Sequence, residues 1–485
     1  MSQTAAFRQL VSEHMRRKPV LLASGASCAE AVARMVEAAA ESLVVIGPEG
    51  GILGIVTEQD VTRRIAFRRD GAVPIDEAMS APVRSVRDRD YLFHAIAYMR
   101  RARLRHMPVV DADGAVVGLL NLHEALAATS SQLVDLIDRL THEETLDGLK
   151  EVKRAQVEVA DALFRDNVPA PEIQTLLSDI NLDINRSVIA QSLNAMAEAG
   201  WGAPPVAFAA IVMGSGGRGE SYLFPDQDNG FILEDYPDAE HGRIDAFFIE
   251  LAERMTQALD AIGIPLCRGN VMATNPVWRK TLSQWRAQID LWMHKRSAVA
   301  LRLADIFFDF RITHGADRLA EALRSDVTRV LPANPIFLHE MYSLQADHRV
   351  ALSPFGRLRT ERDPGRPGRW INLKYSGTLP LVESVRLIAL RSGVPETATL
   401  ARIAALHARG VIDANVGDYL TGAFRLITDL LLRQQIADFK VGREVGNLAP
   451  IDALSARERD MLIDHFDAIA SFRDRVKHDL TGALF

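Results

Sequence analysis

Residues 213–235 read MGSGGRGESYLFPDQDNGFILED. A glycine-rich turn carrying a serine, Gly214-Ser215, is followed by two aspartates one residue apart, Asp226 and Asp228. Residues two apart in a strand point to the same face, so DQDNGFIL, read as a strand, sets both carboxylates side by side. Adjacent carboxylates repel unless a cation sits between them, and Mg²⁺ (or Mn²⁺) shared with phosphate oxygens is the usual solution. A phosphate-cradling turn beside a metal-binding carboxylate pair is equipment for moving a phosphoryl or nucleotidyl group.

Gly214, Gly216 and Gly219 also satisfy the G-x-G-x-x-G spacing of dinucleotide-binding folds. That fingerprint needs a helix opening straight after the glycines. Here only Glu220 to Pro225 separates them from the next apolar strand, and Pro225 breaks any helix continuing through it. Asp226 arrives too early to be the ribose-binding acid. A P-loop is excluded because no Gly-Lys-Ser/Thr follows the glycines. A bare tight turn before an Asx-rich strand start is the structural alternative to a nucleotide site.

GSGGRGE followed by DQDN resembles the nucleotidyltransferase superfamily signature, a Gly-Ser turn and then Asp-x-Asp. More narrowly, it is similar to the nucleotidyltransferase domain found behind CBS domain pairs in bacterial signalling proteins, a relative of the protein-PII uridylyltransferases. The resemblance implies that Gly214 and Ser215 hold the terminal phosphates of an NTP, with Arg218 assisting, and that Asp226 and Asp228 ligate the catalytic metal. The chain departs from the commonest wording at Gly216 and Pro225 without losing a metal ligand. Superfamily members place a third carboxylate on a later strand. Asp309, in IFFDFR, is the best candidate by its apolar setting, since IPLCRGNVMA holds no acid.

Composition sets the frame. A chain of 485 residues fits about three domains. Hydrophobic content of 48% with 25% charged residues describes an ordinary globular protein. A net charge of −7 argues against a general nucleic-acid binder. Two cysteines, Cys28 and Cys267, make neither a disulfide framework nor a zinc pattern and suit a reducing cytoplasm. Cys267 reads as a small buried hydrophobe. The first residues lack the apolar run of a signal peptide, and no stretch has the length of a membrane span, so a cytoplasmic location without membrane contact is expected.

Residues 12–130 contain an internal repeat. One copy runs through ASCAEAVARMVEAAAESLVVIGPEGGILGIVTEQDVTRRI and the other through DRDYLFHAIAYMRRARLRHMPVVDADGAVVGLLNLHEAL. Each reads helix, short apolar strand, Gly/Asp turn, second strand, helix, an order that resembles a CBS domain; two in tandem resemble the usual CBS pair. The family's adenine-nucleotide pattern, Gly-x-x-Thr/Ser-x-x-Asp, stands in full as Gly54, Thr57 and Asp60. The second copy has Gly118, Asn121 and Glu124 instead. The same residues also fit helix-start capping. Arginines at 63, 64, 68 and 69, and at 100, 101, 103 and 105, could draw a polyanion or form solvated helix faces. His106 reads as a packed or capping residue.

Apolar residues at helical spacing from Ser130 to about Ala199, as in LVDLIDRL and VEVADALF, predict connecting helices. APPVAFAAIVMGS reads as the strand delivering the Gly-Ser turn. The remainder is helical and resembles the helical domain that follows this catalytic domain in the family, the match centring on WINLKYSGTLPLVESVRLIAL. Lys374, in its Asn-Leu-Lys-x-x-Gly setting, is then a nucleotide-binding residue, with Gly377 and Pro380 turning the chain toward the site. The preceding RLRTERDPGRPGRW, with arginines at 357, 359, 362, 366 and 369, reads as a mobile loop able to close over triphosphate.

The expected protein is an α+β multidomain chain: a tandem CBS pair over 12–130 (12–70 and 76–130), a helical connector over 131–169, a small α/β nucleotidyltransferase domain over 170–310 and a C-terminal helical bundle over 311–485 serving as the substrate-binding domain. The expected activity is Mg²⁺-dependent transfer of an NMP from an NTP to an acceptor, such as a small regulatory protein, under control of an adenine nucleotide at the CBS pair, in a homodimer. The alternative is a nucleotide-sensing signalling protein without turnover.

Overall fold

The computed structural model describes residues 9–66, 70–128, 145–353, 355–363 and 366–482. Two compact units result, Met1–His142 with Arg165–Val168, and Glu143–Phe164 with Pro169–Phe485. Arg68, Arg69 and the LVDLIDRL segment lie outside the described residues.

In the first unit each repeat folds in the expected order. Helix Cys28–Glu37 leads to antiparallel strands Ser42–Ile46 and Ile52–Thr57; helix Leu92–Arg101 leads to antiparallel strands His106–Val110 and Val116–Asn121. The registers are equivalent, with Ser42 opposite Thr57 and His106 opposite Asn121. Val44 and Ile55 of the first repeat pack with Leu119 of the second. Each such aliphatic side chain contributes about 1.5–3 kcal/mol on full burial.

The repeats also interlock. A Cβ on Gly54 would lie 2.1 Å from Met79 Sδ, and one on Gly118 would lie 2.4 Å from Met15 Sδ. Each methionine sits in the segment leading into the other repeat. The glycine of the nucleotide pattern is therefore required by packing in both copies, including the copy whose pattern has drifted.

The second unit is built on a four-stranded sheet in the order Arg279–Thr281, Asn229–Leu233, Phe208–Val212, Arg311–Gly315. The first pair is parallel and the others antiparallel. Arg311–Gly315 completes this sheet as its edge strand, so the sheet takes in residues past 310. Phe208, Phe231 and Phe248 stack edge to face between the sheet and helix His241–Ile262. Trp278, Trp285, Trp292 and Phe307 form an aromatic cluster in the core of the unit.

The helix Ala170–Glu198 packs along helix His241–Ile262, and helix Leu146–Arg165, read from sequence as connector, falls within this unit but for its last residue. The C-terminal bundle includes Leu379–Arg391, Ala414–Lys440 and Ala456–Gly482. One expectation fails here. Residues Glu361–Asp363 and Arg366–Asn372 pair as an antiparallel hairpin, and Leu448–Pro450 adds a third strand. The segment read as a mobile loop is thus partly sheet, because a strand from far along the chain satisfies its backbone. Arg369 pairs with Asp452 at 3.1 Å. No helix among the described residues is long and apolar enough to cross a membrane.

Candidate active site

Strand register brings the two halves of the MGSGGRGESYLFPDQDNGFILED stretch together. Val212 pairs with Asn229, and one step beyond, Met213 N–H donates to Asp228 O at 2.9 Å. The Gly-Ser turn therefore starts beside the second aspartate. The turn is a single helical turn, Gly214–Arg218, closed by Gly217 N–H donating to Met213 O at 3.1 Å and ended by Gly219 in the left-handed region. The leading N–H groups of a helical start have no partner within the helix. Gly214 has φ +58°, and a Cβ there would lie 2.9 Å from Asp228 Oδ2. Only glycine combines that backbone with so close a carboxylate.

Asp226 and Asp228 precede the strand, which begins at Asn229. The sequence reading placed them inside it. Pro225 cannot donate to a ladder, and Gln227 is engaged elsewhere: its N–H donates to Pro265 O, and its side-chain amide donates to Thr256 O and Ile264 O at 3.0 and 2.9 Å. The segment is pinned to the end of helix His241–Ile262, and extended alternation still sets both carboxylates on the side opposite buried Gln227.

There they meet Cys267. One ligand atom from each of Asp226, Asp228 and Cys267 falls within 4.8 Å of the others. Neither aspartate makes an ion pair among the described residues. Burial, and then the Asp226 charge, push the Asp228 carboxyl up to about 7; a hydrogen bond with Cys267 and the charges of Lys374 and Arg218 pull the other way without cancelling them. Burial and the Asp228 carboxylate in turn push the Cys267 thiol up to about 11. This cluster is short of positive charge, and a divalent cation fits it. Lys374, expected from sequence, is exposed and close enough to Asp228 to stabilise its charge.

Arg218 and Asp309 are placed differently from expectation. Asp309 is fully buried, accepting from Arg218 Nη1 and Arg386 Nη1, both at 2.8 Å. Arg402 Nη2 lies 2.7 Å from its other oxygen, close enough for an ion pair though not aligned as a hydrogen bond. Burial alone would raise this carboxyl; Arg402, Arg386 and Arg218 together hold it well below the usual carboxylate range. Asp309 is therefore a structural anion clasped by three guanidiniums and not a third metal ligand. Arg218 also donates to Glu220 at 2.6 Å, so its guanidinium is committed beneath the turn. Glu220 in turn accepts from Thr399 N–H at 2.6 Å, and Thr397 donates to Gly217 O at 3.1 Å. The clasp ties the glycine turn to the C-terminal bundle.

A cleft beside the aspartates is walled by Ser178, Asn181 and Asn185 of helix Ala170–Glu198, together with Ser215, Asp226 and Asp228. Behind that wall Lys153 Nζ donates to Gln156 Oε1, Asn181 Oδ1 and Leu223 O at 2.8, 3.3 and 3.1 Å. Burial pushes this lysine down to about 7. Through Leu223 it fixes the loop that leads to Asp226. Sequence reading took Cys267 for a buried hydrophobe and missed Lys153 and the asparagines. The polar i, i+3, i+7 stripe of Ser178, Asn181 and Asn185 on an otherwise apolar helix was the available signal.

In the first unit, Thr57 and Asp60 form a capping box: Thr57 Oγ1 accepts from Asp60 N–H at 3.2 Å and Asp60 Oδ2 accepts from Thr57 N–H at 3.0 Å. The other carboxylate oxygen accepts from Ser80 Oγ at 3.1 Å and lies 3.4 Å from Arg64 Nε. In the second copy Asn121 caps through His123 N–H at 2.8 Å and donates to Glu41 at 2.9 Å, while Glu124 is bound by Arg16. Desolvation keeps His106, near Glu41, below its ordinary value.

The architecture is that of a nucleotidyltransferase module behind a CBS pair. Residues 11–67 and 75–131 match the CBS domain, 154–298 match "Putative nucleotidyltransferase DUF294", and 335–480 match "Putative nucleotidyltransferase substrate binding domain". The chain belongs to this family of CBS-domain-containing nucleotidyltransferase proteins. It is 28% identical over 118 residues to an uncharacterized 17.7 kDa protein of Acidianus ambivalens, covering 24% of this chain and 71% of that one. It is 26% identical over 111 residues to a homoserine O-acetyltransferase of Methanosarcina acetivorans, of which it spans 20%. Among solved structures, the CBS domain protein PAE2072 from Pyrobaculum aerophilum, complexed with AMP, is 25% identical, covering 27% of this chain and 98% of that one with a TM-score of 0.24. An uncharacterized conserved protein from Pyrococcus horikoshii is 25% identical, covering 25% and 92% with a TM-score of 0.24.

Proposed function

We propose that this protein transfers an NMP from an NTP to an acceptor hydroxyl at the Gly214-Ser215/Asp226/Asp228 site. The observation that carries the reading is the meeting of an uncompensated carboxylate pair with a glycine-serine turn across one strand pairing. Asp226 and Asp228 would hold Mg²⁺ or Mn²⁺, whose charge draws the triphosphate and offsets the charge that develops on it. The leading N–H groups of the turn and the Ser215 hydroxyl orient the β- and γ-phosphates, and Lys374 approaches from the bundle side as a further cation. The acceptor oxygen forms its bond to the α-phosphorus in line as the bond to the β-phosphate oxygen breaks, and pyrophosphate leaves. A small regulatory protein carrying the hydroxyl is the acceptor we favour, on the likeness to PII uridylyltransferases.

The CBS pair serves as the regulatory unit and takes an adenine nucleotide. The Thr57 and Asp60 pattern supports this, and binding there exchanges cap bonds for ligand bonds at Asp60. A second reading, NTP sensing without turnover, is favoured by one observation: Asp309 is occupied by three arginines and supplies no third carboxylate to the site.

The test is incubation with each α-phosphate-labelled NTP, Mg²⁺ or Mn²⁺ and extract of the source cells, beside the Asp226→Ala/Asp228→Ala protein. A labelled macromolecule absent from the variant reaction identifies base and acceptor together. Metal-dependent NTP binding with no labelled product selects the sensor reading.

A further inference from the structure

Cys267 is held at the aspartate pair by local structure. It opens the turn Cys267–Asn270, closed by Asn270 N–H donating to Cys267 O at 3.0 Å with Asn270 at φ +55°. The following residues are fixed to the start of the catalytic strand: Asn229 N–H donates to Val271 O at 3.0 Å, and Asn229 Oδ1 accepts from Ala273 N–H at 2.9 Å. Its sulfur and one carboxylate oxygen each of Asp226 and Asp228 lie within 4.8 Å of one another.

The remaining candidate for a third ligand, Asp309, is enclosed by guanidiniums. The donor set that clusters at the aspartates is therefore two carboxylates and one sulfur.

We propose that Cys267 is the third protein ligand of this cation site, which makes the site selective for a borderline-soft divalent ion of the Co²⁺ or Zn²⁺ class over Mg²⁺. Mg²⁺ takes oxygen ligands in near-ideal octahedral geometry, while thiolate draws softer ions. On binding, the S–H bond breaks, the proton passes to solvent, and the sulfur donates its lone pair to the cation; no oxidation state changes. The inference rests on the metal-dependent reading of the site and is tested apart from turnover.

Co²⁺ is titrated into the full-length protein under a non-thiol reductant while near-ultraviolet absorption is recorded. The chain has two cysteines, so a thiolate-to-cobalt charge-transfer band is simple to assign. It is expected in the wild type and in Cys28→Ser, and lost in Cys267→Ser, with Cd²⁺ affinity falling about tenfold or more in the last and Mg²⁺ affinity nearly unchanged. Without any substitution, saturating Cd²⁺ should slow alkylation of Cys267 in the native protein, read by peptide mass. Co²⁺ bound without the band, a band that survives Cys267→Ser, no saturable Co²⁺ binding, or an alkylation rate indifferent to Cd²⁺ would each overturn the proposal. NMP transfer without the band leaves the transferase reading standing and removes Cys267; a band without transfer does the reverse.

Discussion

The polar clusters of the two units were singled out by similar sequence signals and end in opposite states. At the CBS repeats, Thr57, Asp60, Ser80 and Arg64 satisfy one another, as do Asn121 with Glu41 and Glu124 with Arg16. Just before strand Asn229–Leu233, Asp226 and Asp228 cluster with the half-buried Cys267 thiol and make no ion pair among the described residues. The arginine clasp around Asp309 belongs with the closed clusters: Asp309, Asp305 and Glu220 are matched by Arg218, Arg386 and Arg402. A closed cluster holds a fold together, and a cluster left in electrostatic conflict is completed by a ligand. Removing a carboxylate should therefore destabilise the first kind and stabilise the second.

The largest effect is expected at the clasp. Asp309→Asn leaves buried guanidiniums without their shared anion and should cost about 3–5 kcal/mol, read by chemical denaturation. A loss below about 1 kcal/mol would mean that solvent or a rearranged Asp305 compensates, which would undo the assignment of Asp309 as a structural anion.

The opposite sign is expected at Asp228. Its carboxyl is raised from 3.8 to about 7 in the folded protein, so between these values the folded state binds the extra proton and stability falls as pH rises. In cation-free protein Asp228→Asn should thus gain on the wild type from pH 4 to 7, by up to about 4 kcal/mol at alkaline pH. Saturating Mn²⁺ should reverse the order, because ligand binding stabilises only the intact site. Melting temperatures across pH, with and without Mn²⁺, check both signs; a variant less stable than wild type without cation breaks the contrast.

The smallest effect is expected at the CBS cap. Asp60→Ala removes a reciprocal cap and should cost about 1 kcal/mol. Adenine-nucleotide affinity measured on the same protein sharpens the comparison. A fall in affinity shows that the closed cluster also opens to a ligand, and unchanged affinity leaves Thr57 and Asp60 as a cap alone.

What the sequence disclosed follows from how local each signal is. The Gly-Ser turn, the Asp-x-Asp pair and the CBS repeats are carried by residues close together in the chain, and the fold keeps them so. Lys374 was legible only through its motif setting, 146 positions after Asp228. The role of Asp309 was not legible, since its partners Arg218 and Arg386 lie 91 and 77 residues away and an acid in an apolar run looks the same whether it meets a metal or three arginines. Cys267 reads from sequence as a small buried hydrophobe because a lone cysteine carries no spacing signal; its place at the aspartates comes from Asn229 anchoring the next few residues. The hairpin at Glu361–Asp363 was hidden by glycines and prolines that read as loop, while its partner strand Leu448–Pro450 lies far downstream.

The most direct test of the central claim is to supply one NTP labelled at either the α- or the γ-phosphate to wild-type and Asp226→Asn/Asp228→Asn proteins of equal folded content. The account predicts that α-label stays on the acceptor, that γ-label leaves as pyrophosphate, and that the variant loses both by about 100-fold or more. Label retained from the γ-position, or transfer undiminished in the variant, would contradict it.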